Sequence, residues 1–187
     1  KMTMAIVKDE YDDIGLEFST YLMDEKKRCR NNCIFCFIDQ NPPGMRETIY
    51  FKDDDERLSF LMGNYVTLTN LKEADFARIK RLRISPINVS VHATDPDVRR
   101  KMCGNRFAGD CYRIMHDLAA AGITMNAQIV VCPGINDGDV LARSLNDLLL
   151  LYPYVQSVAV VPVGLTKYRE GLTPLRLFTK EEAAAVI

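Results

Sequence analysis

The sequence has no run of about 18 apolar residues of the kind a membrane-spanning helix needs, and its first residues lack the charged, apolar, small-residue order of a secretion signal. A cytoplasmic chain with no membrane partner is expected. Net charge is also missing: 24 Lys plus Arg stand against 25 Asp plus Glu, so no overall field draws the chain to nucleic acid or to a lipid surface. Internal repeats and low-complexity tracts are absent. At 187 residues, 48% of them hydrophobic, the chain can bury a core of ordinary size. Its six cysteines do not read as a disulfide scaffold, because three of them fall within eight positions. That crowding favours a metal.

What is present is an alternation of strand-like and helix-like stretches from Gly15 onward, the pattern of a parallel sheet with helical crossovers. Strands are predicted over 16–22, 65–69, 87–92, 125–132 and 157–161, the last two as nearly continuous apolar runs that suit strands covered on both faces. Asn70 with Glu73 has capping-box spacing ahead of one helix, Asp110 precedes a second that stops at Gly122, and Asp137 precedes a third. Thr179 with Glu182 forms another box, followed by barely two helical turns. The expected fold is α/β, a partial parallel (β/α) barrel incomplete at its C-terminal end. Residues 1–14 would be a lead-in and 15–187 the core. In such a barrel the active site belongs at the carboxyl ends of the strands. The acidic run Asp53, Asp54, Asp55 and Glu56 is expected as a solvated helix start ahead of Leu58, Phe60, Leu61 and Met62.

Cys29, Cys33 and Cys36 have the spacing C-x3-C-x2-C and follow the first expected strand, where a catalytic loop should lie. Three thiolates on one tight loop can ligate three irons of a 4Fe-4S cubane and leave the fourth iron without a protein ligand. An open iron can chelate S-adenosylmethionine and pass an electron into its sulfonium. Zinc is the plainer alternative, but a structural zinc site needs four ligands, usually in C-x2-C pairs, and no partner pair is evident. Redox use of Cys33 and Cys36 alone would leave Cys29 without a role. Cys103, Cys111 and Cys132 read as small buried or incidental residues.

With Phe35 directly before the third cysteine, this motif identifies the chain as a member of the radical S-adenosylmethionine (radical-SAM) superfamily. The segments 27–40, 63–70, 90–94 and 161–169 together resemble a bacterial radical-SAM family whose members carry a PDZ-like domain before the core and a domain of unknown function after it. The resemblance implies a radical-SAM fold and an enzyme that cleaves S-adenosylmethionine reductively and abstracts hydrogen from a substrate. It also implies a reductant such as a flavodoxin or ferredoxin. A PDZ-like neighbour would suit a peptide substrate, and RNA is the other substrate class considered.

Six further residues carry cofactor-side expectations. Phe35 belongs to the motif itself. Thr69 and Asn70 end the second expected strand, where the superfamily usually has a Gly-Gly-Glu segment for the cofactor's amino group, and here the sequence departs from that pattern. Ser90 and His92 resemble a Ser-Leu-His segment that binds the cofactor in radical-SAM RNA adenine methyltransferases. For His92 the alternative is a satisfied, partly buried histidine. Gln128 interrupts an apolar strand, so it either faces the ribose or is a core amide with a local partner. The basic cluster Lys26, Lys27, Arg28 and Arg30 suits plain solvation, contact with an anionic substrate or easier reduction of the iron-sulfur cluster. Residues 133–137 read as a turn.

Overall fold

The computed structural model describes residues 3–19, 22 and 24–186. Four parallel strands, β1 (Tyr65–Val66), β2 (Ile87–Ser90), β3 (Met125–Val131) and β4 (Val155–Pro162), form one sheet in the order β1-β2-β3-β4. Helices occupy every connection: α2 (Glu73–Leu82) after β1, α3 (Pro96–Cys103) and α4 (Cys111–Ala120) after β2, and α5 (Gly138–Leu149) after β3. Helix α1 (Glu56–Met62) precedes the sheet and α6 (Lys180–Val186) follows it. This is the expected α/β partial barrel. Among the described residues no helix is long and apolar enough to cross a membrane.

The alternation of side chains along a strand sorts the two faces of the sheet. Ile87, Val89, Met125, Ala127, Ile129 and Val131 are fully buried against Ile79, Met115, Leu118 and Leu148 of the helices. Each such side chain contributes roughly 1.5–3 kcal/mol by leaving water. The opposite face carries Asn88, Ser90, Asn126 and Gln128, all only partly buried. Asn126 Nδ2 donates to Asn88 Oδ1 at 3.0 Å and Ser157 Oγ donates to Asn126 Oδ1 at 2.8 Å, so polar side chains bridge three strands on this face. One face is therefore core, and the other is free to line a site.

Several boundaries differ from expectation, each for a local reason. No strand forms over 16–19, where Leu16 and Phe18 stay exposed with no ladder partner, and residues 20 and 21 of that expected strand lie outside the described residues. The lead into the cysteine motif is instead an isolated antiparallel bridge between Arg28 and Asp53. β1 stops after two residues because the Thr67 amide donates to Asp54 Oδ1 at 2.6 Å and Leu68 turns to φ +60°. β4 is largely exposed along its length, not covered on both faces. Asn70 does not cap α2. The cap is Lys72, whose amide donates to Asp75 Oδ2 at 2.9 Å. Thr179 and Glu182 do form their capping box.

The acidic run is not solvated. Asp54, Asp55 and Glu56 are all essentially inaccessible to water. Asp55 caps α1 by accepting from the Arg57 amide, and Glu56 pairs with Lys27 and Arg78 at 2.8 and 2.6 Å. Buried charge needs partners: distant Lys27 and Arg78 supply them to Glu56, Arg57 supplies one to Asp55, and the Thr67 amide and hydroxyl bind Asp54.

Arg99 on α3 is 1% exposed and meets no carboxylate in a direct ion pair among the described residues. Its Nε donates to the Val91 carbonyl at 2.7 Å and its NH2 group to the carbonyls of Thr67 and Ser90 at 2.9 and 2.7 Å, while NH1 reaches Ala108. The guanidinium fork thus collects four carbonyls, three of them just beyond or at the carboxyl ends of β1 and β2. Replacing it by methionine takes this donor from the Thr67 and Ser90 carbonyls in the interior, while those of Val91 and Ala108 keep the Ala93 and Cys111 amides. Arg99→Met is expected to lower the unfolding free energy by at least about 3 kcal/mol, and Arg99→Lys, with a single ammonium that cannot span them, to recover part of that loss. Urea unfolding at pH 7 followed by circular dichroism checks both.

Candidate functional site

The loop carrying the three motif cysteines has little regular structure of its own, so its shape comes from what grips it. Asn32 and Ile34 amides donate to the carbonyls of Cys103 and Met102, both at 2.9 Å, which fastens the loop to the last turn of α3. Gln40, 1% exposed, donates to the Cys36 carbonyl at 3.2 Å and accepts from the Thr166 amide at 3.0 Å. Arg169 NH2 donates to the Ile34 carbonyl at 3.1 Å. The segment beyond β4 is therefore the second wall that holds the loop in place. Gly104, at φ +57°, is the point of closest approach, since a Cβ there would lie 2.5 Å from the Asn32 carbonyl oxygen.

Cys29, Cys33 and Cys36 share the wall of one cavity of about 480 Å³ with Asn31, Phe35, Thr67, Ser90, His92 and Gln128. It lies at the carboxyl ends of the strands, bounded on the β4 side by Val161, Pro162 and Gly164. Thr69 and Asn70 are not in this wall. The Thr69 hydroxyl donates to Asn31 Oδ1 at 3.0 Å, and Asn70 Nδ2 donates to the Asp54 carbonyl at 3.1 Å, so both support the loop from behind. Asn70 also borders a separate groove with Lys26, Lys27, Arg28, Arg30 and Lys72. Within that basic cluster, Lys27 is committed to Glu56 and Asp75, and Arg28 stacks over Phe51.

His92 is 3% exposed and sits at φ +63° with its ring 4.4 Å from that of Phe35. Its Nδ1 accepts from the Val130 amide at 3.2 Å. Burial, reinforced by the positive charge of Arg99, brings its pKa down to about 3. The ring is therefore neutral, and with Nδ1 accepting, its proton is on Nε2. Asn136 holds this arrangement by donating to the carbonyls of His92 and Val130 at 2.7 and 2.9 Å. The 133–137 turn thus does more than reverse the chain.

Two of the motif thiols, Cys29 and Cys33, resist ionisation as they stand. Burial, with the nearby Asp54 carboxyl adding to it, pushes the Cys29 thiol up to about 11. A hydrogen bond with Cys103, then burial, pushes the Cys33 thiol well above the usual range, and the same bond brings Cys103 down to about 7. Cys103 is thus buried, as one of the two expected readings has it, and not incidental. It ends α3, is fully buried and touches a motif cysteine. Cys111 and Cys132 are buried in the two apolar clusters, as expected of them.

Two features bear on whether the residues fit an iron-sulfur cluster. Among the described residues no three His, Cys, Asp or Glu side chains close around a single ion position. The thiols instead share a cavity wall, which suits ligands to separate irons better than ligands to one zinc. In addition, Asn31, between the first two cysteines, keeps a buried Nδ2 with no hydrogen-bond partner, a state that costs about 1–3 kcal/mol unless something in the cavity accepts from it. The donor set and the orphaned amide both fit the group. Sequence reading had missed Asn31, Gln40, Asp54, Arg99 and Asn136. Asn31 alone carried a local signal, its place inside the motif.

Behind Asn31 runs a row of short contacts, Asp54 Oδ2 to Thr67 Oγ1 at 2.6 Å, Thr67 Oγ1 to Thr69 Oγ1 at 2.8 Å, and Thr69 Oγ1 to Asn31 Oδ1. The Thr67 hydroxyl and amide both donate to Asp54, whose pKa burial raises against the pull of those bonds.

Two measurements test this geometry. Gly104→Ala combines a left-handed backbone with a backbone clash and should destabilise by roughly 2 kcal/mol or more, read as a lower urea midpoint. For His92, the folded-state pKa lies below the unfolded value of 6.5, so protons favour the unfolded chain. Its contribution is intact above about 6.5 and is lost as pH falls toward 3. Stability should drop about 2 kcal/mol more between pH 7 and pH 5 in the wild type than in His92→Asn, measured by urea unfolding at both pH values.

The family model described as a Radical SAM-like domain matches residues 8–158. No curated protein matches the sequence. Among solved structures, Streptococcus suis SuiB is similar in fold, with a TM-score of 0.53 at 12% identity, over 81% of this chain and 40% of that one. A radical SAM methyltransferase from Sphaerobacter thermophilus aligns over 59% of this chain and 33% of that one, at 20% identity and a TM-score of 0.37. The chain therefore spans well under half the length of either neighbour. With a match over most of its length and an α/β partial barrel of the same type, the chain belongs to the Radical SAM-like domain family.

Proposed function

We propose that this chain is the core of an enzyme that cleaves S-adenosylmethionine reductively and abstracts hydrogen from a substrate, with Cys29, Cys33 and Cys36 as the ligands of a 4Fe-4S cluster. The observation that carries this reading is the shared cavity wall of the three thiols, at the carboxyl ends of a parallel sheet. When bound, such a cluster supplies an electron at an iron left without a protein ligand. A flavodoxin or ferredoxin is the proposed electron donor.

The chain's own residues bind, orient and exclude water. Phe35 and His92 form a packed ring pair on the wall, and the neutral Nε2–H of His92 is a donor that does not bring a positive charge beside the cofactor's sulfonium. Ser90 and Gln128 add polar groups opposite the cysteine loop, suited to the ribose and amino-acid parts of S-adenosylmethionine. Gln40 and Arg169 keep the loop closed against the segment beyond β4, which limits water entry.

Each of Cys29→Ala, Cys33→Ala and Cys36→Ala is expected to lose cluster iron and to reduce 5'-deoxyadenosine formation to background. Cys111→Ala and Cys132→Ala should keep both, with a packing loss of about 1 kcal/mol. Iron content and product yield, measured anaerobically with dithionite after reconstitution, check this. Stoichiometric zinc in place of iron would point to a structural metal site, and a cluster without affinity for S-adenosylmethionine to an electron-transfer protein.

A further inference from the structure

We infer that the side-chain amide of Asn31 donates a hydrogen bond to a sulfur of the iron-sulfur cluster and sets its reduction potential, an assignment that rests on the proposed cluster site. Asn31 is 6% exposed, lies between two of the three ligand cysteines and forms part of the cavity wall. Its orientation follows from its neighbours. Asn105 Oδ1 accepts from the Phe107 amide at 2.9 Å, so the group that Asn105 turns toward Asn31 is its Nδ2, which donates to Asn31 Oδ1 at 2.6 Å. Thr69 donates to the same oxygen. Flipping the Asn31 amide would set N–H against N–H, so the oxygen must face this pair and Nδ2 must face away from it.

Nothing in the protein accepts from that Nδ2 among the described residues, and water does not reach it. A fully anchored acceptor and an unmatched donor on one amide is the arrangement of a group built to present its N–H to something else. The cavity otherwise disfavours added negative charge, since Phe35, Phe37 and Ile38 line it beside the cysteines. An amide donor to cluster sulfur stabilises the more negative, reduced state, and hydrogen bonds to the sulfurs are among the features that set cluster potentials. Asn31 is on this view the counterweight that keeps reduction within reach of a biological donor.

The experiment compares wild type, Asn31→Asp and Asn31→Leu after anaerobic reconstitution. Midpoint potentials come from titrations followed by electron paramagnetic resonance, and exchangeable deuterons near the reduced cluster from electron-nuclear double resonance. Asp keeps the oxygen that Thr69 and Asn105 bind but removes the donor, while Leu removes the donor without adding charge. Both variants should hold wild-type iron yet be at least tenfold harder to reduce, a shift of about 59 mV for a one-electron couple, and one deuteron coupling should vanish from both. Unchanged potential and couplings in either iron-loaded variant would overturn the assignment. So would failure of both variants to take up a cluster, which would make Asn31 a strut of the loop. A wild type that forms no 4Fe-4S cluster would bring down the parent reading first, before any variant is compared.

Discussion

The site depends on one buried cation. Arg99 gathers carbonyls from Thr67, Ser90, Val91 and Ala108, so α3 is drawn against the carboxyl ends of β1 and β2. The end of that helix then offers the Met102 and Cys103 carbonyls to the cysteine loop. Strand ends, helix and loop are thus one mechanical chain, and the loop inherits its position from the guanidinium. A carboxylate partner would have satisfied the charge at one point. Carbonyls satisfy it at four, which is why Arg and not Lys serves here.

The same cation shapes the electrostatics of the cavity. It disfavours a proton on His92, and it lies within electrostatic reach of Asp54 and Cys103. Around it, burial lowers the His92 pKa and raises that of the Cys29 thiol, and a hydrogen bond with Cys103, then burial, raises that of the Cys33 thiol. The thiol of Cys103 beside Cys33 belongs to this setting, and it comes from the end of α3, not from the motif.

The two faces of the sheet divide the work of stability and function. Ile87, Val89, Met125, Ala127 and Ile129 pack on the helices, and their neighbours Ser90 and Gln128 turn to the cavity. Alternation along a strand makes this division automatic. A similar fold in SuiB, at 12% identity, indicates how little of the sequence is needed to keep the layered arrangement. The segment beyond β4 adds what the strands cannot, since its Thr166 amide binds Gln40 and its Arg169 side chain binds the Ile34 carbonyl.

By itself the sequence determined the parallel α/β class, the cysteine loop and the approximate position of the last three strands, because apolar period, capping residues and cysteine spacing are local properties of the chain. It placed a strand over 16–22, of which residues 16–19 form no ladder among the described residues, and it read Asp54, Asp55 and Glu56 as solvated. Both errors have one cause. Whether a strand finds a ladder, or a carboxylate finds a cation, is settled by residues distant in sequence, as Lys27 and Arg78 are from Glu56. The tertiary structure alone decided that Ser90, His92 and Gln128 share a wall with the cysteines while Thr69 and Asn70 stand behind it. It also decided that Asn31 is left with a spare donor, since hydrogen-bond partners are counted in space and not along the chain.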